Sequence, residues 1–140
     1  MRKRNGIIYG VVGFIVFFLC IEGGGADWKM ITKDAQGNVF EIDATTLSRQ
    51  PDTTVRVLVK TTYSKKGRNE IVKNYGKVFK VLSHCTRLNE YHCTEKKNRT
   101  LETHWYSLDG EKMYSVKSTP EWESVIPESM GEIMFKSVCK

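Results

Sequence analysis

Two pairs of adjacent residues, His84-Cys85 and His92-Cys93, are the first places in this chain where side-chain chemistry could reside. Imidazole nitrogen and thiolate sulfur both bind zinc or copper, and a thiol activated by an imidazole is a nucleophile. Either use requires the groups to converge. Leu82 to Thr94 reads as one β-strand. At ~3.3 Å per residue such a strand holds Cys85 and Cys93 about 26 Å apart. The pairs meet only if the chain turns back at Leu88-Asn89-Glu90. The sequence has no Cys-x-x-Cys, no His-x3-His and no haem-type Cys-x-x-Cys-His. A third histidine, His104, lies near Ser107 and Asp109, the residue types of an acyl-transfer triad. No Gly-x-Ser-x-Gly accompanies them. The reading is therefore of no catalytic, metal or cofactor residues and no enzyme. A small secreted hydrolase and a metal or thiol protein acting through Cys85 are the weaker alternatives.

The elements that must position these groups begin with an address. Met1 to Gly6 is basic, Ile7 to Ile21 is an apolar run of 15 residues, and Gly23-Gly24-Gly25-Ala26 supplies small residues before Asp27. This is a secretory signal pattern over residues 1–26. The run is short for a spanning helix, which needs ~20 residues, so an uncleaved N-terminal anchor is the alternative. Leu19 precedes Cys20 where a lipoprotein signal needs Gly, Ala or Ser, so lipidation is not expected. The whole chain of 140 residues has room for one domain, assigned to residues 27–140. Its 40% hydrophobic and 27% charged content excludes a disordered chain and a multi-pass membrane protein.

Removing Arg2, Lys3, Arg4 and Glu22 from the chain's 22 basic and 16 acidic residues leaves a charge of +4. The remaining bases look scattered, with Lys65, Lys66 and Arg68 in one place and Lys96, Lys97 and Arg99 in another. A solvated surface accounts for them. The sharper alternative is attraction to an acidic polymer, a surface glycan or lipid head groups. Export conflicts with cytosolic nucleic-acid binding, so no nucleic-acid partner is expected. Contact with a membrane is expected only through the N-terminal segment, if it stays uncleaved.

After the leader, three cysteines remain, Cys85, Cys93 and Cys139, in an oxidising compartment where a pair should bond. If residues 82–93 are one strand, Cys85 and Cys93 cannot reach each other, and Cys139 bonds to one of them.

Along the chain, Trp28, Met30 and Thr32 alternate on a first strand, and Phe40 and Ile42 share one face of a second after the turn Gln36-Gly37-Asn38. Ala44 to Arg49 reads as a helical turn. Val55, Val57 and Val59 mark the clearest strand. Lys65-Lys66-Gly67 reads as its end, and the helical spacing of Ile71, Val72, Tyr75, Val78 and Phe79 predicts a short helix near residues 69–79. Strands follow over 82–94, 99–108 and 113–116. Asp109-Gly110 predicts a type I′ hairpin between the last two. Ser129-x-x-Glu132 fits a capping box opening a C-terminal helix with Met130, Ile133, Met134 and Val138 on one face, and Pro127 limits that helix upstream. Asn98-Arg99-Thr100 is a formal glycosylation sequon.

The tail Trp122-x2-Val125-x-Pro127-x-Ser129-x2-Glu132-x6-Cys139 resembles the closing motif of the bacterial surface-adhesin protein E family. Trp28, the Phe40-x-Ile42-Asp43 run, Cys93 before a basic turn, and Tyr106 before Asp109-Gly110 resemble its opening and middle. The stretch from Tyr63 to Glu70 resembles a longer subgroup with an extra segment. The resemblance implies an α+β fold, a curved antiparallel sheet of about six strands with a C-terminal helix packed on it. It also implies a Cys93–Cys139 bridge, and structural roles for Trp28, Asp43, Trp122, Pro127, Ser129 and Glu132. Cys85 has no counterpart in the motif and is expected to be a buried free thiol. The family is named after a member that binds host matrix proteins such as vitronectin and laminin. The expected function is thus an exported, non-enzymatic envelope or surface binding domain, adhesin-like, with a periplasmic accessory protein as the alternative. Its partner would be a protein or surface ligand of host or environmental origin, and an open strand edge could pair a homodimer. The expected location is the periplasm, the outer surface or the medium.

Overall fold

The computed structural model describes residues 25–140. The expected leader, all but Gly25 and Ala26, lies outside the described residues. Seven strands form one antiparallel sheet: β1 (Trp28–Lys33), β2 (Val39–Arg49), β3 (Thr54–Thr62), β4 (Leu82–His92), β5 (Lys97–Ser107), β6 (Lys112–Lys117) and the two-residue β7 (Glu123–Ser124). The first six lie side by side in chain order, and β7 pairs with β5 beyond the end of β6. The helices are α1 (Lys65–Tyr75), continued by a 3-10 helix (Lys77–Val81), and α2 (Met130–Val138). This is the expected α+β fold with its C-terminal helix.

A meander has two ends, and here they differ. At one end lie the β2–β3 and β4–β5 turns and the bridge between Cys93 and Cys139. At the other lie the β1–β2 turn, the 63–81 excursion that carries α1, and the β5–β6 turn.

Val55, Val57 and Val59 alternate inward on β3 as their spacing predicts, each almost fully buried. Ile42 from β2 and Tyr91 from β4 flank them, and Met134, Phe135 and Val138 of α2 close over the cluster. Side chains of this size contribute roughly 1.5–3 kcal/mol each when fully buried. The helix is rotated from the expected face: Phe135 is buried and Ile133 is 44% exposed. Phe135 places its ring 6.3 Å from that of Tyr91, and the tether at Cys139 holds the helix in that orientation. Cys85 is buried and free, and β4 runs unbroken against β3 from His84 to His92, so the chain does not turn at Leu88-Asn89-Glu90.

Several local expectations are corrected. Ala44–Arg49 is strand, because a bulge between Asp43 and Ser48 lets β2 continue past the irregularity. A second bulge, between Met30 and Thr32, breaks the first strand's alternation, so Met30 is 61% exposed while Ile31 packs against the core. The β5–β6 turn is not type I′. Only Gly110 has a positive φ, of 82°, and its amide bonds the Ser107 carbonyl, as in a three-residue loop ending in a left-handed residue. The first helix starts at Lys65 and ends at Tyr75, with a tighter 3-10 helix after Gly76 rather than one helix over 69–79.

Candidate functional site

The 63–81 excursion is built to stay in place. Ser64 caps α1, its Oγ accepting from the Gly67 amide at 2.9 Å and donating to the Gln36 carbonyl at 2.6 Å. Its own amide donates to Asn38 Oδ1 at 2.9 Å, and Asp34 holds the Asn38 amide group in turn. A Cβ on Gly67 would lie 2.0 Å from Asn38 Oδ1, so glycine is required where the helix meets the β1–β2 turn. These bonds moor the first turn of α1 to the sheet.

Beneath the excursion opens a cavity of about 400 Å³. Ile71, Tyr75 and Phe79 line it from α1 and the 3-10 helix, Trp105 and Tyr114 from β5 and β6, and Tyr63, Leu82 and Arg87 from the sheet side. Trp105 and Tyr114 lie with ring centres 5.6 Å apart, and Tyr75 meets Phe79 edge-on. The Arg87 guanidinium donates to Thr61 Oγ1 at 3.0 Å, and among the described residues no carboxylate pairs with it. The Tyr63 hydroxyl sits 3.2 Å from Cys85 Sγ, and burial, then Cys85, pushes its pKa up. Tyr75 and Tyr114 of this lining are exposed, as are Val78, Val81 and Leu108 at the same end of the sheet, where the Leu108 amide donates to the Val81 carbonyl. Exposed apolar side chains gathered at one end of a sheet make that end a candidate interaction site.

The histidines are distributed otherwise. His84 stacks on Tyr106 with ring centres 4.8 Å apart, and partial burial followed by the Lys60 charge lowers its pKa. His92 Nδ1 lies near the Thr94 hydroxyl and the Glu95 amide. His104 does acquire a serine and an acid, though not Ser107 or Asp109: Nδ1 is 2.6 Å from Ser115 Oγ and Nε2 is 2.5 Å from Glu102 Oε1. Ser107 instead accepts from the Glu111 amide, and Asp109 sits in the exposed turn. Acyl transfer also needs converging N–H donors beside the nucleophile. Ser115 lies mid-strand, where backbone amides point within the sheet plane and not above it. No group of three or more His, Cys, Asp or Glu is placed to hold a metal among the described residues.

The tail and first strands are fixed by the remaining singled-out residues. Trp28 lies beneath the Lys60 ammonium, 4.3 Å from its ring centre. Asp43 is buried beside the β2 bulge and accepts from the Thr45 hydroxyl at 2.6 Å, the Thr45 amide at 3.0 Å and the Asp27 amide at 3.1 Å. Burial pushes its pKa up, but these three bonds outweigh it and leave the carboxyl below its usual value. Trp122 lies under the Arg99 guanidinium, 4.1 Å from ring centre to Cζ, with His92 edge-on to it. Pro127 precedes α2. Ser129 Oγ accepts from the Glu132 amide at 3.2 Å, as a capping box requires. The reciprocal bond reaches one residue further, from the Glu128 amide to Glu132 Oε1 at 3.4 Å. The Lys136 ammonium, then the Glu128 amide, holds Glu132 below the usual carboxylate range.

The family model described as Surface-adhesin protein E matches residues 28–140. The chain belongs to the surface-adhesin protein E family. No curated protein and no solved structure matches it. Family membership agrees with a surface adhesin-like role and, with the disulfide, with export. The bond between Cys93 and Cys139 is the one the adhesin motif implies.

The motif residues and the cavity lie apart. Trp122, Ser129 and Glu132 serve the disulfide-bonded end of this adhesin-family sheet, whereas the cavity opens at the other end. Of the cavity's lining, Ile71, Tyr75 and Phe79 stand out in the sequence, but as one face of a helix and not as the wall of a binding site. Tyr63, Arg87 and Tyr114 carry no local signal, because they meet only through strand register and the placement of α1.

Asp43 makes a pH prediction. A carboxyl held below its unfolded value stabilises the fold above that value, and the contribution is lost as pH falls through the folded pKa. Thermal stability should fall as pH drops below about 4, Asp52 and Glu132 adding to the loss with the same sign. Asp43→Asn should lower the neutral-pH melting temperature and flatten this acid limb. An acid limb of unchanged slope would show that Asp43 does not contribute.

Proposed function

We propose that this chain is an exported, non-enzymatic binding domain of the cell surface whose working face is the end carrying α1. One observation supports this most. Of the nine exposed large apolar side chains among the described residues, Tyr75 and Tyr114 wall the cavity with Trp105 and Phe79, and Val78, Val81 and Leu108 lie on the segments that border it. Aromatic side chains around a pocket are the usual anchors of protein interfaces. Arg87, which pairs with no carboxylate among the described residues, offers an anion a partner.

Protease shaving of intact producing cells tests the location. Peptides from residues 27–140 should be released while a periplasmic marker stays protected. Release only after the envelope is opened would make this a periplasmic accessory domain. The working face is tested by Tyr75→Ala combined with Tyr114→Ala. The pair should cut retention of the protein on producing cells, or on immobilised laminin or vitronectin, severalfold without changing its melting temperature. Retention unchanged on all three would overturn the assignment of this face.

A further inference from the structure

Residues 65–81 hold six basic residues, Lys65, Lys66, Arg68, Lys73, Lys77 and Lys80, against the single acid Glu70, a net charge of +5. The whole of residues 27–140 carries only +4, so everything outside this excursion is net −1. The charge that looks scattered along the sequence is therefore concentrated at one end of the sheet. Every residue from Lys73 to Val78 is exposed, as are Lys80 and Val81. Among these lysines Tyr75 is 75% exposed, Val78 67% and Val81 49%.

We propose that α1 and the 3-10 helix dock on an anionic lipid surface, Tyr75, Val78 and Val81 entering the head-group boundary while Lys73, Lys77 and Lys80 meet lipid phosphates. The proposal rests on the reading of this end as the working face and names what it meets. A sulfated polymer would be satisfied by the lysines alone and would leave two valines in water, and a protein partner would need an apolar pocket shaped to this tip inside an acidic rim. A bilayer interface receives both kinds of side chain: basic residues are drawn to its anionic surface, aliphatic ones enter the acyl boundary, and tyrosine favours the head-group level. Gly76 and the 3-10 helix bring this about, because they end α1 and present Val78 and Val81 on a short tip instead of burying them. No helix among the described residues is long and apolar enough to cross a membrane, so the contact would be interfacial. It would be a membrane contact separate from the N-terminal segment.

The test is co-sedimentation of the full protein, as purified from producing cells, with two kinds of vesicle. One contains phosphatidylglycerol with phosphatidylethanolamine, the other phosphatidylcholine alone. Binding to the anionic vesicles should exceed binding to the neutral ones by about tenfold or more at low salt and fall at high salt. Lys77→Glu with Lys80→Glu should remove that excess. Val78→Ser with Val81→Ser should weaken binding severalfold at unchanged melting temperature. The charge-matched control Lys117→Glu with Lys140→Glu, both outside residues 65–81, should change it little. Equal binding to both vesicles, or the same loss in the control as in Lys77→Glu with Lys80→Glu, overturns the proposal. If vesicles are ignored while soluble heparin or immobilised laminin binds through the same lysines, the lipid is wrong but the working face stands. If none of these depends on residues 73–81, both readings fall.

Discussion

Cys93→Ala should lower the melting temperature by about 10 °C or more. The bridge joins residues 46 apart, from the start of the β4–β5 turn to the last turn of α2. In the loop-entropy description, closing a loop of that length removes about 4 kcal/mol of unfolded-chain freedom at room temperature. A domain of this size has a total stability of roughly 5–15 kcal/mol, so the loss is a large fraction. The effect extends beyond entropy. Cys139 caps α2, and Met134, Phe135 and Val138 on that helix supply one wall of the core. With the tether gone, a helix of nine residues must hold itself on the sheet by three buried side chains and its Ser129 cap. Peptide mapping without reductant should recover Cys93 joined to Cys139 and leave Cys85 free. Cys85→Ala should cost much less than Cys93→Ala, since it removes a packed thiol and its contact with Tyr63 but no crosslink. An unchanged melting temperature in Cys93→Ala would mean that the helix is held by packing alone.

The sheet was readable where side-chain alternation is driven by burial on a single face. Val55, Val57 and Val59 declare β3, and the Ser129 to Glu132 spacing declares the start of α2. What the sequence concealed follows from interactions that have no period. The bulges in β1 and β2 shift which residues face the core, so Met30 and Ile31 exchange places and Ala44–Arg49 stays in the sheet. The start of α1 was hidden because Lys65-Lys66-Gly67 has the composition of a loop. Its cap, Ser64, is recognisable only once Asn38 is known to lie against Gly67. The candidate site was less legible still. Its aromatic walls come from α1, the 3-10 helix, β5 and β6, segments that no spacing rule connects. The charge concentration was present in the residue counts, but it acquires meaning only once 65–81 is seen to be one excursion at one end of the sheet. The bridge needed the family resemblance, because the strand argument excludes one pairing and leaves two.

Glu90→Gln should destabilise the protein by about 2 kcal/mol while leaving the side-chain volume unchanged. Glu90 is buried on β4 and stands between two arginines on neighbouring strands. Arg56 on β3 donates from Nη2 to Oε2 at 2.9 Å, and Arg99 on β5 donates from Nε to Oε1 at 2.9 Å. The two pairs are not equivalent. The Arg56 side chain is 46% exposed, so water screens it and its share is that of a surface pair. The Arg99 side chain is 22% exposed and its guanidinium lies on the Trp122 ring, so losing the carboxylate leaves a charge largely out of water with only a π face and a 3.5 Å bond to the Pro120 carbonyl for company. The double-mutant cycle of Glu90→Gln with Arg99→Met should therefore show a coupling near 1–1.5 kcal/mol. The cycle with Arg56→Met should show less than about half of that. Raising salt should shrink the Arg56 coupling more than the Arg99 coupling. The same geometry explains why a tryptophan stands at position 122. It holds the segment between β6 and α2 against β5, so that the tail is fixed by charge at Arg99 and covalently at Cys139. Trp122 fluorescence should redden in Glu90→Gln if Arg99 carries this link. An unshifted spectrum with an unchanged melting temperature would show that the tail is held by the disulfide and the α2 core contacts alone.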